Sequence, residues 1–83
     1  MSWEWMSDSG WTDYGTGQTN LTSSQDAIEE MHQKYQKGIN LSSFTLTFTR
    51  LDNKQTDNYK IDFESMSQIN MRTRYIRKIQ RVE

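Results

Sequence analysis

Apolar side chains recur along this chain with two periods, and the first of them is helical. The stripe at spacings of three and four residues consists of Ile28, Met31 and Tyr35. Ser23 or Ser24 is suited to cap this helix, which we predict to begin near Gln25. Gly38 follows the stripe and is typical of the position just beyond a helix end. The pattern therefore predicts one helix that stops at Gly38.

Beyond the helix the period changes to two, which is typical of strands with one buried face. In each of two segments the apolar residues share a face, and these are Phe44, Leu46 and Phe48, and then Tyr59, Ile61 and Phe63. Polar stretches separate the elements at residues 7–10, 15–24 and 51–58, and the first, SDSG, is typical of a hairpin turn. We therefore predict an α+β fold in which a curved antiparallel sheet of about six strands packs against one helix.

Composition limits the class of protein. A chain of 83 residues is expected to form a single domain, residues 1–83. The absence of cysteine and the single histidine exclude a disulfide scaffold and a zinc site built on a histidine cluster. No apolar run approaches the roughly 20 residues that span a bilayer, and we expect neither a secretory signal nor a membrane partner. A nuclear or cytoplasmic location is the expectation.

Charge is distributed unevenly, although the formal net charge is only −1. Through Glu30 every charged residue is an acid, whereas the C-terminal segment carries five cations, namely Arg72, Arg74, Arg77, Lys78 and Arg81. A basic segment of this kind is either a solvated edge strand or a surface that meets phosphate groups. Charge alone leaves both alternatives open.

Candidate catalytic groups are scarce, so we predict a binding module and not an enzyme. His32 has Glu29, Glu30 and Gln33 beside it on the predicted helix, and we expect it to be a partly exposed helix residue. The sequence contains no glycine-rich phosphate loop of the Walker or dinucleotide-binding type. We therefore assign no catalytic residue, no metal site and no cofactor.

Three polar or amphipathic side chains on the predicted strands suggest a ligand instead. Tyr59 lies on an apolar strand face, Gln68 has the spacing to share a face with Met66, and alternation places Arg77 between Tyr75 and Ile79. Each also has a structural explanation, because Gln68 can bond to the backbone and Arg77 can pair with Asp62 or Glu64. Together, an aromatic wall, an amide that can read a base edge and an arginine suited to phosphate favour a nucleotide-like ligand.

These segments resemble a WWE domain, a family found in ADP-ribosyltransferases (the PARP proteins) and in ubiquitin ligases. The resemblance covers nearly the whole chain and rests on WEW, the GW six residues after Trp5, the AIEEM helix and YKIDFESMSQIN…RYIRKIQR. In the last stretch the matching residues are Tyr59, Asp62, Phe63, Met66, Gln68, Asn70 and Arg77. YKIDF is similar to members of the ADP-ribosyltransferase branch, and a ubiquitin ligase is the second choice. The resemblance implies a half-barrel of antiparallel strands around one helix.

The resemblance also implies a ligand, either a terminal ADP-ribose group or the iso-ADP-ribose unit of poly(ADP-ribose). The matched positions are an aromatic at the pocket mouth, a tyrosine beside the phosphates, a glutamine at the adenine and an arginine facing the phosphates, namely Trp5, Tyr59, Gln68 and Arg77. Trp3 and Trp11 are expected to pack in the core. Alternation places Trp5 on the same face as Trp3, so a pocket role requires a twist or strand end that turns Trp5 toward the ligand.

Three positions depart from the family pattern. Asp8 and Thr12 stand where a poly(ADP-ribose) reader has an arginine and a second tryptophan, and Arg74 stands where many members have glycine. An acid near a diphosphate repels it, so a terminal ADP-ribose is favoured over an internal unit of the polymer. The alternative from another class is a protein-interaction domain with a vestigial pocket. Binding of single-stranded nucleic acid is weaker as a hypothesis, because the whole domain is slightly acidic.

Overall fold

The computed structural model describes residues 2–14, 18–19, 24–38, 42–50 and 54–83, with the backbone alone at residues 18, 19, 48 and 50. These residues form one helix and seven strands: β1 Ser2–Ser7, β2 Gly10–Asp13, β3 Gln18–Thr19, α1 Ser24–Gln36, β4 Ser43–Arg50, β5 Thr56–Asp62, β6 Ser67–Asn70 and β7 Ile76–Val82. Within this part of the chain, no helix is long and apolar enough to cross a membrane.

The strands form one antiparallel sheet in the order β2-β1-β7-β6-β5-β4-β3. The sheet is not closed, because β2 and β3 lie at its two edges and do not pair with each other in the described register. This arrangement confirms the predicted α+β half-barrel around one helix. The sheet has seven strands where about six were predicted, and one of them, β3, is only two residues long.

The predicted hairpin and helix ends are confirmed. Ser7 pairs with Gly10 across the SDSG turn, and Gly10 has a φ of 109°, which a side chain would strain. α1 begins at Ser24, one residue before the predicted start, while Ser23 lies outside the described residues. Gly38 has a φ of 76°, and its N–H donates to the carbonyl of Tyr35 at 3.1 Å, which ends the helix.

The core is formed where the helical stripe meets the inner face of the sheet. Among the described residues, the buried apolar side chains are Trp3, Tyr14, Ile28, Leu46, Tyr59, Ile61, Phe63 and Ile79. Phe44, Met31 and Tyr35 pack against them, as the two periods predict. Aromatic rings contribute much of the buried area, which suits a chain with few apolar residues. The side chain of Phe48, the remaining predicted inward residue, lies outside the description.

Two predicted loops and the position of the basic strand need correction. Residues 18–19 of the predicted loop 15–24 form β3, and residues 56–58 of the predicted loop 51–58 belong to β5. Both segments are strands because they pair with neighbouring strands. Neither is apolar enough for its sequence pattern to predict a strand. The basic strand β7 lies between β1 and β6 in the interior of the sheet, so of the two alternatives left open for the basic segment, the edge strand is excluded.

The three tryptophans have three different environments. Trp3 is fully buried, as predicted. Trp11 is 42% exposed, so its predicted core role is wrong. The register explains this result, because Trp11 pairs with Met6, which alternates with Trp5 and therefore faces outward. Trp5 is half-buried and shares the inner face with Trp3, as alternation predicts.

One carboxylate on the helix connects three elements. Glu29 accepts a hydrogen bond from Nε1 of Trp3 at 2.9 Å and two from Arg81 in β7, at 2.9 and 3.0 Å. Gln25, one turn earlier, donates to the carbonyl oxygens of Trp3 and Tyr14. The hydrogen bonds from Arg81 are the main reason that the pKa of Glu29 is lowered to about 2, against the opposing effect of burial. The helix is thereby fixed at one end of the half-barrel.

Candidate functional site

Strand register brings Gln68 and Arg77 together. They lie away from the end of the half-barrel where Glu29 is bonded to Trp3 and Arg81. Gln68 in β6 pairs with Arg77 in β7 on one side and with Ile61 in β5 on the other. Residues paired across antiparallel strands point to the same face of the sheet, and Ile61 is fully buried. Gln68 and Arg77 therefore lie side by side on the concave face.

Tyr59 and Trp5 lie on the same face beside this pair. Tyr59, which is 8% exposed, pairs with Asn70 and is therefore a diagonal neighbour of Gln68, at a typical spacing of about 7–8 Å. Trp5 pairs with the β7 residue two positions beyond Arg77. The four residues predicted as a site are thus neighbours on one surface. That they contact a ligand stays a prediction.

Gln68 is buried, and a hydroxyl fixes its orientation. The Tyr14 hydroxyl donates to Oε1 of Gln68 at 2.5 Å across 54 residues of sequence. This is a side-chain partner, where the sequence suggested a backbone one. Burial raises the pKa of Tyr14 well above its usual range, and the nearby Tyr59 raises it further, so the Tyr14 hydroxyl keeps its proton and remains a donor. The Tyr14 hydroxyl thereby holds the amide oxygen of Gln68 in one orientation.

Aromatic rings hold the guanidinium of Arg77. Its Cζ atom lies 4.6 Å from the ring centroid of Tyr75 and 5.6 Å from that of Trp5. Both distances are within the range of favourable cation–π contact, about 6 Å. Arg77 is also 23% exposed at its side chain, so it can still be reached from the open end of the half-barrel.

Two oxygen atoms of the β1–β2 hairpin occupy the donor edge of the same guanidinium. Nη1 of Arg77 donates to the carbonyl of Met6 at 3.0 Å, and Nη2 donates to Oδ1 of Asp8 at 3.0 Å. The expected alternatives, Asp62 and Glu64, are not its partners. Asp62 follows Ile61 and so faces outward, where its carboxylate instead accepts the backbone N–H of Glu64 at 2.9 Å.

The indole of Trp5 forms the wall of the site beside Arg77. Its Nε1 atom is buried and has no hydrogen-bond partner within the described part of the chain. Trp3 and Trp5 share a face but differ in position along the strand, because Trp3 lies opposite Arg81 under the helix and Trp5 lies two pairs further along, opposite Ile79. No turning of Trp5 to the other face is required.

A second arginine on this rim was missed by sequence reasoning. Arg72 makes a bidentate ion pair with Asp57, through Nε at 2.9 Å and Nη2 at 3.1 Å. Asn70 also donates to Asp57, and these bonds, first those from Arg72, lower the pKa of the buried Asp57 carboxyl. The pKa of Arg72 is raised by Asp57 and, to a smaller extent, by Tyr59. Asp57 fell in a predicted loop, so no strand periodicity placed it beside the site.

The β6–β7 connection contains Arg74, one of the three residues that depart from the family pattern. Arg74 has a φ of 65°, a left-handed conformation that glycine adopts without strain. Oδ1 of Asn70 accepts the backbone N–H of Arg72 at 2.8 Å and of Thr73 at 3.1 Å, which closes the same turn. Arg74 thus adopts the backbone conformation expected of a glycine at this position.

Side chains that could ligate a metal do not cluster in the described part of the chain. This part contains no group of three or more histidine and carboxylate side chains that could hold a metal ion. His32 is half-buried, close to its predicted exposure, and its ring packs against Phe63 at 5.2 Å between centroids. Burial lowers its pKa, so it is neutral near pH 7.

The comparisons with known proteins agree with this geometry. No curated protein matches the chain. The family model of the WWE domain matches residues 1–81, which include every strand of the concave face except the end of β7. WWE domains are protein-interaction modules and not catalytic ones. The family model thus covers nearly the full length of the half-barrel, and the chain belongs to the WWE domain family.

Proposed function

We propose that this domain binds an ADP-ribose unit at the open end of the half-barrel, either a terminal ADP-ribose or the iso-ADP-ribose unit of poly(ADP-ribose). The modified protein that carries this group is then the partner. A parent protein of the ADP-ribosyltransferase or ubiquitin-ligase type, in the nucleus or cytoplasm, is part of the same proposal. Neither a catalytic residue nor a cofactor is needed.

The observation that supports this proposal best is the pairing of Gln68 with Arg77 on the concave face. Side chains directly opposite in an antiparallel pair have Cβ atoms about 4.5–5.5 Å apart. An amide donor for a base edge and a cation for phosphate are therefore adjacent, which suits a nucleotide whose base and phosphate are joined by one ribose. Tyr59 and Trp5 add apolar surface on either side of the pair.

Two arginines supply the positive charge that a diphosphate requires. Arg77 is held between Trp5 and Tyr75, and Arg72 is held by Asp57 on the far side of Gln68. Arginine presents several N–H groups in a planar fork that matches phosphate oxygens. We propose Arg77 as the primary phosphate ligand and Arg72 as an additional cation at the rim.

Calorimetric titration with ADP-ribose, iso-ADP-ribose and ATP tests the proposal. We expect saturable binding of at least one ADP-ribose ligand with one site per chain. Arg77→Ala and Gln68→Ala should each weaken it about tenfold or more, as expected for a lost charge-assisted or buried hydrogen bond. Lys78→Ala is the matched control, because it removes an exposed cation next to Arg77 on the opposite face of β7.

Three results would contradict the proposal. The absence of heat with every ligand at millimolar concentration would leave a protein-interaction domain with a vestigial pocket. Unchanged binding by Arg77→Ala, in a variant that melts like the wild type, would show that the site lies elsewhere. An affinity for single-stranded oligonucleotides that rises with strand length and falls steeply with salt concentration would favour nucleic-acid binding instead.

A further inference from the structure

The β1–β2 hairpin places a carboxylate on the guanidinium that we propose as the phosphate ligand. Oδ1 of Asp8 lies 3.0 Å from Nη2 of Arg77. The side chain of Asp8 is 89% exposed, whereas that of Arg77 is only 23% exposed. The carboxylate therefore approaches the guanidinium from the solvent side, which is the side from which a ligand also arrives.

Two aromatic rings and a backbone carbonyl contact other parts of the guanidinium. The ring of Tyr75 lies at 4.6 Å and that of Trp5 at 5.6 Å, and the carbonyl of Met6 accepts from Nη1. A phosphate that approaches the exposed edge of the guanidinium from the solvent side therefore meets Asp8. The phosphate either displaces the carboxylate or binds next to it.

The turn that carries Asp8 is braced from within. The hydroxyl of Ser7 lies 2.8 Å from that of Thr12 and donates to the carbonyl of Gly10 at 2.8 Å. The backbone N–H of Ser9 donates to the same hydroxyl at 3.1 Å. These hydrogen bonds stabilise the turn that has Asp8 at its tip. Thr12, which stands where a poly(ADP-ribose) reader has a second tryptophan, contributes its hydroxyl to them.

We infer that Asp8 is a specificity-determining residue, a built-in anion that competes with phosphate for Arg77 and disfavours ligands of high negative charge. This inference rests on the proposed function. A terminal phosphate ionises a second time with a pKa of about 6, whereas a phosphate esterified on both sides has no second proton to lose. The diphosphate of ADP-ribose is esterified at both ends, so it carries less charge than ADP or ATP. Asp8 therefore selects ADP-ribose over nucleoside di- and triphosphates.

The test compares Asp8→Asn with the wild type, using adenosine, ADP-ribose and ATP at low salt. Asp8→Asn should leave adenosine binding unchanged, tighten ADP-ribose binding roughly threefold, and tighten ATP binding by more, on the order of tenfold. Asp13→Asn is the matched control. It removes the same charge from an exposed residue that pairs with Glu4 on the outer face of the hairpin, and it should change none of the three affinities.

A separate arm distinguishes this inference from the proposed function. The Nε–H resonance of Arg77 is followed by NMR as inorganic pyrophosphate is added to each protein. A lower midpoint in Asp8→Asn than in the wild type supports competition by Asp8, even if no nucleotide binds and the proposed function fails. If nucleotides bind but the ratio of ATP to ADP-ribose affinity is the same in wild type and Asp8→Asn, the inference is wrong and the proposed function stands.

Discussion

The imidazole of His32 packs edge-on against the indole of Trp3, with 4.9 Å between the ring centroids and 72° between the ring planes. Phe63 also contacts the imidazole, at 5.2 Å between centroids, and lies 5.8 Å from Trp3, so the three rings pack as one cluster. Nδ1 of His32 is buried and has no hydrogen-bond partner in the described part of the chain. This histidine therefore acts as an aromatic packing residue with one unsatisfied polar atom.

We predict that His32→Phe stabilises the domain and makes it less sensitive to acid. The ring contacts are retained, and the buried unpaired nitrogen is removed, which is worth about 1 kcal/mol or a few degrees in the melting temperature. Because burial lowers the pKa of His32 in the folded state, with Glu29 opposing and Arg81 adding to this shift, the unfolded chain binds the proton more readily. Wild-type stability should therefore fall as pH drops below about 6.5.

Thermal unfolding followed by circular dichroism at pH 7 and pH 5 measures this effect. The advantage of His32→Phe should be larger at pH 5. An equal difference at the two pH values would mean that His32 does not titrate with folding.

A second prediction concerns Glu29, which connects α1 to β1 and β7. Its pKa is lowered to about 2, chiefly by hydrogen bonds from Arg81, so the stability it provides is present above about pH 4.5 and is lost as pH falls from there toward 2. Glu29→Ala also leaves the buried indole N–H of Trp3 unpaired, which costs on the order of 2 kcal/mol at pH 7.

Urea unfolding of wild type and Glu29→Ala between pH 7 and pH 2.5 tests this prediction. The two curves of unfolding free energy should converge as pH falls. Glu30→Ala is the matched control, since Glu30 is exposed and contacts only Lys34 at 3.6 Å among the described residues. A constant separation between wild type and Glu29→Ala across this range would contradict the prediction.

A third prediction concerns the bond between Tyr14 and Gln68. Tyr14→Phe removes the donor that orients the Gln68 amide, so both stability and ligand affinity should fall, the former by about 1–2 kcal/mol. In a double-mutant cycle with Gln68→Met, the two stability losses should be non-additive by about 1 kcal/mol. Strict additivity would mean that the two side chains do not interact in solution.

A fourth prediction separates the tryptophans. Trp11 is 42% exposed on the outer face, so Trp11→Thr should change the unfolding free energy by less than about 0.5 kcal/mol. Trp3→Ala should cost about 3–5 kcal/mol, because it leaves a cavity in the core and removes the indole N–H that donates to Glu29. Chemical denaturation of both variants under the same conditions gives the comparison. Similar losses for the two would overturn the register of β1 and β2.

Local pattern predicted much of this fold. The alternation of Tyr59, Ile61 and Phe63, and the stop at Gly38, depend on residues close in sequence, and the structure agrees with both. The exposure of Trp11 could not be found this way, because composition favours burial of any tryptophan and only the register with Met6 turns it outward.

The site was predicted less completely, for a related reason. Gln68 and Arg77 were identified from one short strand pair, but their partners come from elsewhere. Tyr14 is 54 residues from Gln68 along the chain, and Asp8 is 69 residues from Arg77. A short-range pattern contains no information on contacts across such distances. The sequence identified Asp8 as an acid near the expected phosphate position, and only the structure shows that its carboxylate forms an ion pair with Arg77.

The pairing of β1 with β7 also bears on the order in which the contacts of this domain form during folding. The side chains of Glu4 and Gln80 are joined by a hydrogen bond across 76 residues. Contacts of such high sequence separation carry a large loop-closure entropy and form late in folding. Trp5, Asp8 and Arg77 meet only across this pair, so the surface that we propose for ligand binding is complete only once β7 has paired with β1. On the proposed function, ligand binding would therefore report that these two distant segments have come together.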